Sequence, residues 1–181
     1  MKKKPLQLDD LIDMDTPEAV LEEVRTILTQ LPDTQDPGRI EAAFGTTVAL
    51  YQGEYPGYHG CNIAYHNLHH ITDTFLAMTR LIHGAHLNGT SLPWLVVELG
   101  LISSLFHDTG YIQETHDCDG TGAKHTLNHV QRSMDFVARH ALEHSLAEDE
   151  TALCRDMILC TDLAADIGTT AFPTPQAQLA G

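Results

Sequence analysis

Histidine is the residue that asks for an explanation in this chain: there are 12 in 181 residues. His66, His69, His70 and Asp73 are three and four positions apart, so on a helix they share one face. Two imidazoles at i and i+4 beside a carboxylate suit a metal ligand, a second catalytic histidine and an orienting partner. His107 and Asp108 are adjacent and close a run containing Leu95, Val96, Val97, Leu99, Leu101, Ile102, Leu105 and Phe106. That run covers nearly the whole circumference of a helix and predicts a central one. A carboxylate at the end of such a helix is costly twice, because burial strips its hydration and the helix C-terminus is already the negative end of the dipole. A bound cation offsets both. His125 and His129 form a further i, i+4 pair, and Asp162 and Asp166 are carboxylates on or just beyond the last helical segment.

These residues must be positioned by helices, since strand signals are weak throughout. Thr16-Pro17-Glu18 reads as a cap, a first-turn proline and a first-turn acid, and Leu21, Val24, Leu28 and Leu31 then recur at helical spacing up to Pro32. Asp36-Pro37 starts a second helix with Ile40, Phe44, Val48 and Tyr51 on one face. Residues 53–64, rich in Gly, Tyr and Pro, read as a loop. A third helix is predicted from Tyr65 to Leu87, with Ile71, Phe75, Met78 and Ile82 inward. Ser91 is the expected cap of the apolar fourth helix, which stops near Gly110. After the polar loop 113–122, a fifth helix is predicted from Ala123 to His144, with Val130, Met134 and Val137 inward. Ser145 and Glu148 read as a capping box that opens a sixth helix reaching about Asp166. His83, His86, His140 and His144 fall near predicted helix ends, where imidazolium complements the dipole. The expectation is an all-α fold, a helical bundle of about six helices over residues 16–167, between a flexible segment 1–15 and an irregular tail 168–181.

Charge narrows the function classes. The formal net charge is -15, from 25 Asp and Glu against 10 Lys and Arg, three of which are Lys2, Lys3 and Lys4. A basic face for a phosphate backbone cannot be assembled, so no nucleic acid is expected as partner. The apolar stretch from Leu92 to Phe106 is shorter than the ~20 residues of a membrane span and is interrupted by Pro93, Glu98, Ser103 and Ser104. No signal peptide is recognised. Cys61, Cys118, Cys154 and Cys160 form neither a CxxC pair nor a framework, which predicts a reduced, cytoplasmic protein.

Taken together, the motifs resemble the HD superfamily of metal-dependent phosphohydrolases. Tyr65-His66-Asn67-x-x-His70 is similar to the corresponding segment of class I cyclic nucleotide phosphodiesterases, and the similarity covers roughly residues 60–165. The family pattern is a histidine on one helix, a His-Asp pair ending a later helix and a more C-terminal aspartate, on an all-α fold. By position, the resemblance implies metal ligands His70, His107 and Asp108, with Asp108 able to bridge two ions and Asp162 or Asp166 as the final carboxylate. His66 matches the phosphodiesterase histidine that protonates the leaving oxygen; imidazole, titrating near ~6.5 when unperturbed, suits that step.

The chain departs from the pattern in two places. Thr109-Gly110-Tyr111 stands where many relatives carry another histidine, a place that His125 and His129 could fill as ligands or phosphate contacts. The final aspartate usually lies on a helix beyond the segment resembling Ile158–Asp162, as expected if the sequence is a truncated piece.

The resemblance implies one or two divalent ions: Mg, Mn, Fe, Zn or Ni. It also implies hydrolysis of a phosphomonoester or phosphodiester, nucleotides included, by metal-activated hydroxide. The alternatives are a di-iron oxygenase on the same fold, or a non-catalytic domain that binds a metal or nucleotide. A homodimer is compatible with exposed leucines expected on the first two helices.

Overall fold

The structure is a computed structural model that describes residues 16–162. Segment 1–15, Asp166 and the tail 168–181 lie outside those residues. The described chain is all-α, with six α-helices, no strand and an isolated antiparallel bridge between Tyr58 and Glu114. Among the described residues, no helix is long and apolar enough to cross a membrane.

Helix α4 (Trp94–Phe106) is the axis. Leu99, Leu101, Ile102, Leu105 and Phe106 have no exposed surface, and each such side chain contributes about 1.5–3 kcal/mol when buried. Leu95, in the first turn, is 43% exposed, the one gap in the predicted apolar coat. Around α4 pack α2 (Gly38–Gln52), α3 (Leu68–Leu87) and α6 (Glu148–Leu159). Helix α1 (Pro17–Leu28) lies on α3. Helix α5 (His129–His140) joins α6 to the 3₁₀ turn Thr109–Tyr111 that follows α4.

Several helix starts fall later than the periodicity predicts, each with an identifiable contact behind it. Asn67 is extended, with φ -101 and ψ -179, and its side chain accepts a hydrogen bond from the His70 N–H at 3.1 Å. This Asn cap starts α3 at Leu68, so Tyr65 and His66 precede the helix. His69 and Asp73 pair at 3.5 Å on the outer, exposed face. Residues Gly122–His125 form a 3₁₀ turn, and α5 begins only at His129. The cause is close packing: a Cβ on Gly122 would lie 2.1 Å from the Tyr111 carbonyl oxygen. Ser145 takes φ +53 and cannot cap α6. The N-cap is Ala147, whose N–H donates to the Glu150 carboxylate at 3.0 Å, so only the glutamate half of a capping box is made. Ser91 instead meets His86 Nδ1 at 3.1 Å, and α4 starts at Trp94 after Pro93.

Helix α4 carries one charge in its middle. Glu98, 4% exposed, receives Arg39 Nη1 of α2 at 3.1 Å, and Arg39 Nη2 reaches Glu150 of α6 at 2.7 Å. One guanidinium therefore ties three helices. Burial, opposed by Arg39, pushes the Glu98 pKa up. Arg39→Ala should cost about 3 kcal/mol by leaving Glu98 uncompensated. Because a raised carboxylate pKa favours the protonated folded state, that deficit should shrink as pH falls through it. Urea unfolding of both proteins at neutral and mildly acid pH checks this.

Candidate metal centre

Four imidazoles surround one carboxylate. Asp108, with 3% of its side chain exposed, has Oδ2 at 2.6 Å from His66 Nδ1, 3.2 Å from His107 Nε2 and 3.4 Å from His70 Nε2. Its other oxygen, Oδ1, is 3.7 Å from His129 Nε2. His66, His70 and Asp108 each offer a ligand atom within 4.8 Å of the others, and this group could hold a metal ion.

Each side chain is delivered by a different element. His70 lies in the first turn of α3, which the Asn67 cap orients. His66 comes from the preceding turn, where its carbonyl oxygen accepts a weak bond from the Cys61 thiol at 3.5 Å. His107 is the C-cap of α4 and keeps helical backbone geometry. Its Nδ1 lies 2.8 Å from the Ser104 carbonyl oxygen, an acceptor only, so Nδ1 carries a proton. In the neutral ring Nε2 is then a lone pair aimed at the centre, the arrangement a metal-binding histidine needs. His129 opens α5 in the same manner, with Nδ1 at 2.8 Å from the Thr126 carbonyl oxygen.

The turn after His107-Asp108 is clasped by α5. Arg132 donates from Nε to the Gly110 carbonyl at 2.7 Å and from Nη2 to that of Ile112 at 3.0 Å. The Gly110 N–H donates to Ser133 Oγ at 2.9 Å. No side chain fits at Gly110, since a Cβ would lie 1.9 Å from the His129 carbonyl oxygen. This close approach brings Tyr111 against both His66 and His129, with ring centroids 4.4 and 4.3 Å away and planes 20° apart in each case.

Electrostatics keep the carboxylate ionised. Burial would raise the Asp108 pKa, but the hydrogen bonds and charges of His107 and His66 outweigh it and hold the value at about 2. Burial would also lower the His107 pKa; the Asp108 hydrogen bond and charge, helped by the Ser104 carbonyl, reverse the direction and raise it. His70 is shifted down, mainly by burial, which favours the neutral, ligating ring. A cation here competes with protons on these imidazoles, so its binding strengthens with pH.

Beside this cluster lies a cavity of about 560 Å³. His66, His70, His107, Asp108, Tyr111 and His129 form one side of it, and Asp162 lines it from beyond α6. The structure thus gathers His66, His70, His107, Asp108 and Asp162 around one space. It separates His125 from His129: His125 Nε2 is 3.2 Å from Asp117, whose carboxylate also pairs with Lys124. Tyr111 and Arg132 were not singled out from sequence. A glycine directly behind a His-Asp-Thr run was the available signal for the clasp; the partner on α5 left none.

No family model, curated protein or solved structure matches the chain.

Gly110→Ala should destabilise the protein by about 3 kcal/mol, an overpacking cost, read by chemical denaturation. The lowered Asp108 pKa supplies stability that is complete above about pH 4, the unperturbed aspartate value, and is lost as pH falls toward 2. Acid titration of metal-free protein should show that loss, and Asp108→Asn should lack it.

Proposed function

We propose that this protein is a metal-dependent phosphohydrolase of the HD type, acting on a small phosphorylated substrate. The observation that carries the reading is the buried Asp108 carboxylate ringed by His66, His70, His107 and His129 at the wall of a ligand-sized cavity. His70 lies in the first turn of α3 and His107 with Asp108 at the end of α4, while His66 stands just before α3 and His129 opens α5. Imidazole and carboxylate together suit Mn, Fe, Zn or Ni, and Mg through the carboxylates.

His70, His107 and Asp108 would hold the ion, with Asp162 as the further carboxylate on the cavity. A divalent ion so held lowers the pKa of a water molecule and neutralises phosphoryl oxygens. At a net charge of -15 the protein repels anions at long range, so attraction of a phosphate has to be local. His66 has separate tasks for its two nitrogens. Nδ1 is held by Asp108 at 2.6 Å; Nε2 is the nitrogen left to give a proton to the departing oxygen. Asp108 fixes the orientation of the ring. Tyr111, stacked on His66, fixes the plane of that ring.

A second reading, oxidative chemistry at a pair of irons, draws support from His129, whose Nε2 lies 3.7 Å from Asp108 Oδ1 and which would help hold a second ion. It is weakened by His125, which is turned to Asp117.

Elemental analysis of the protein purified without added metal, beside Asp108→Ala, tests the centre: bound divalent metal should be present in the first and lost in the second. Unchanged metal content in Asp108→Ala and His107→Ala would sink the assignment. His66→Ala should keep the ion and slow hydrolysis of alkyl phosphates by about 100-fold, with a smaller loss for nitrophenyl phosphate, whose leaving group needs little protonation. Iron with substrate-dependent oxygen uptake would favour the oxidative reading instead.

A further inference from the structure

The cavity extends well past the histidines. From His70, Thr74 and Met78 follow at successive turns of α3; from His107, Ser104, Ser103 and Gly100 lead back along α4. Seven or eight helical residues span about 10–12 Å. The two rows therefore form walls of a slot that begins at the ligand histidines and runs into the bundle, with Met157 of α6 as a third wall. Two methionines give it adaptable apolar surface. Ser103 has only long contacts of its own, 3.4 Å to the Cys154 carbonyl oxygen and 3.7 Å to Met157 Sδ, so its hydroxyl can meet a polar atom of a ligand.

Gly100 has no conformational reason to be glycine. It is buried in the middle of α4 and is not among the positive-φ residues, and glycine is the poorest helix former after proline. Gly100 instead lines the cavity, seven residues back from His107.

The described walls carry no permanently cationic side chain. Among the described residues no lysine or arginine lines the cavity, and residues 163–181 contain none. Arg25, Arg39, Arg80, Lys124 and Arg139 pair with carboxylates elsewhere, and Arg132 is bonded to backbone carbonyls. A polyphosphate chain, or an acidic group at the far end of a ligand, would lie there without a counter-charge from any described residue.

We propose that this slot receives the neutral, largely apolar alcohol portion of a single-phosphate ester, with Gly100 setting its depth. The proposal rests on the phosphohydrolase reading for the phosphate end, and on the cavity alone for the other. It assigns Thr74, Met78, Gly100, Ser103 and Met157 to substrate selection and disfavours nucleoside di- and triphosphates.

The test uses the Mn-loaded full chain and three phosphonates that cannot be hydrolysed, with affinities from calorimetry. Phenylphosphonate should bind at least 10-fold more tightly than methylphosphonate, and 4-carboxyphenylphosphonate should lose that gain. Gly100→Ala should reduce the phenyl-to-methyl affinity ratio and Gly100→Val abolish the preference. Gly100→Ala guards against misfolding, because alanine favours the helix. Methyl-labelled methionine NMR of the diamagnetic Zn-loaded chain gives a second readout: phenylphosphonate should shift the Met78 and Met157 methyls and leave Met134, on α5, in place. Equal affinities for phenyl and methyl probes, a preference retained in both variants, or unmoved methyls would overturn the slot. Benzyl alcohol, added to metal-free protein, separates the two readings. If it shifts Met78 and Met157 while no phosphonate binds, the phosphohydrolase reading falls and the slot stands as a site for a neutral ligand.

Discussion

A carboxylate placed almost out of reach of water, at the negative end of the most apolar helix, is the constraint around which this protein is organised. Alone, Asp108 would be driven toward its neutral form by desolvation. Three imidazoles gather on one of its oxygens and a fourth stands near the other, and that ring of donors keeps it charged. The rest of the bundle can be understood as the means of bringing four histidines, from three helix ends and one turn, to a single point. Each helix end is fixed by a specific contact: the Asn67 cap, the Ser104 carbonyl behind His107, and the Thr126 carbonyl behind His129.

The support for the centre lies on α5, more than 20 residues after Asp108 in sequence. Arg132 and Ser133 bind the backbone of residues 110–112, while His129, on the same helix, faces Asp108. Helix position and carboxylate position are thereby linked through a turn too tight for any residue but glycine at 110. On the opposite side of α4, Arg39 performs a comparable task with charges, joining α2 and α6 to Glu98.

Much of this was legible in the sequence because it depends on local periodicity and local chemistry. The apolar circumference of α4 placed His107 and Asp108 at the end of a central helix, and the cores of α1, α2 and α3 followed from spacing. Helix starts were not legible to the same degree. Asn67 outcompetes the upstream extension of α3 by a local contact three residues ahead, whereas the packing of Gly122 against Tyr111 that delays α5 depends on what meets the backbone in three dimensions. The i, i+4 pairing of His125 and His129 failed for that reason: without a helix across 123–129 the two rings part, one to Asp117 and one to Asp108. Tyr111 was visible only as a residue standing where a histidine was expected, and its stacking on two imidazoles is a tertiary fact.

The Asn67 cap also divides the four histidines by stiffness. Moving His70, His107 or His129 means tilting a helix against a packed core. His66 stands on the bend just before α3, where its ring is held by Asp108 and Tyr111 and by no helical hydrogen bond. A small rotation of that one ring can therefore change the surroundings of Asp108 while the three helix-borne imidazoles keep their places.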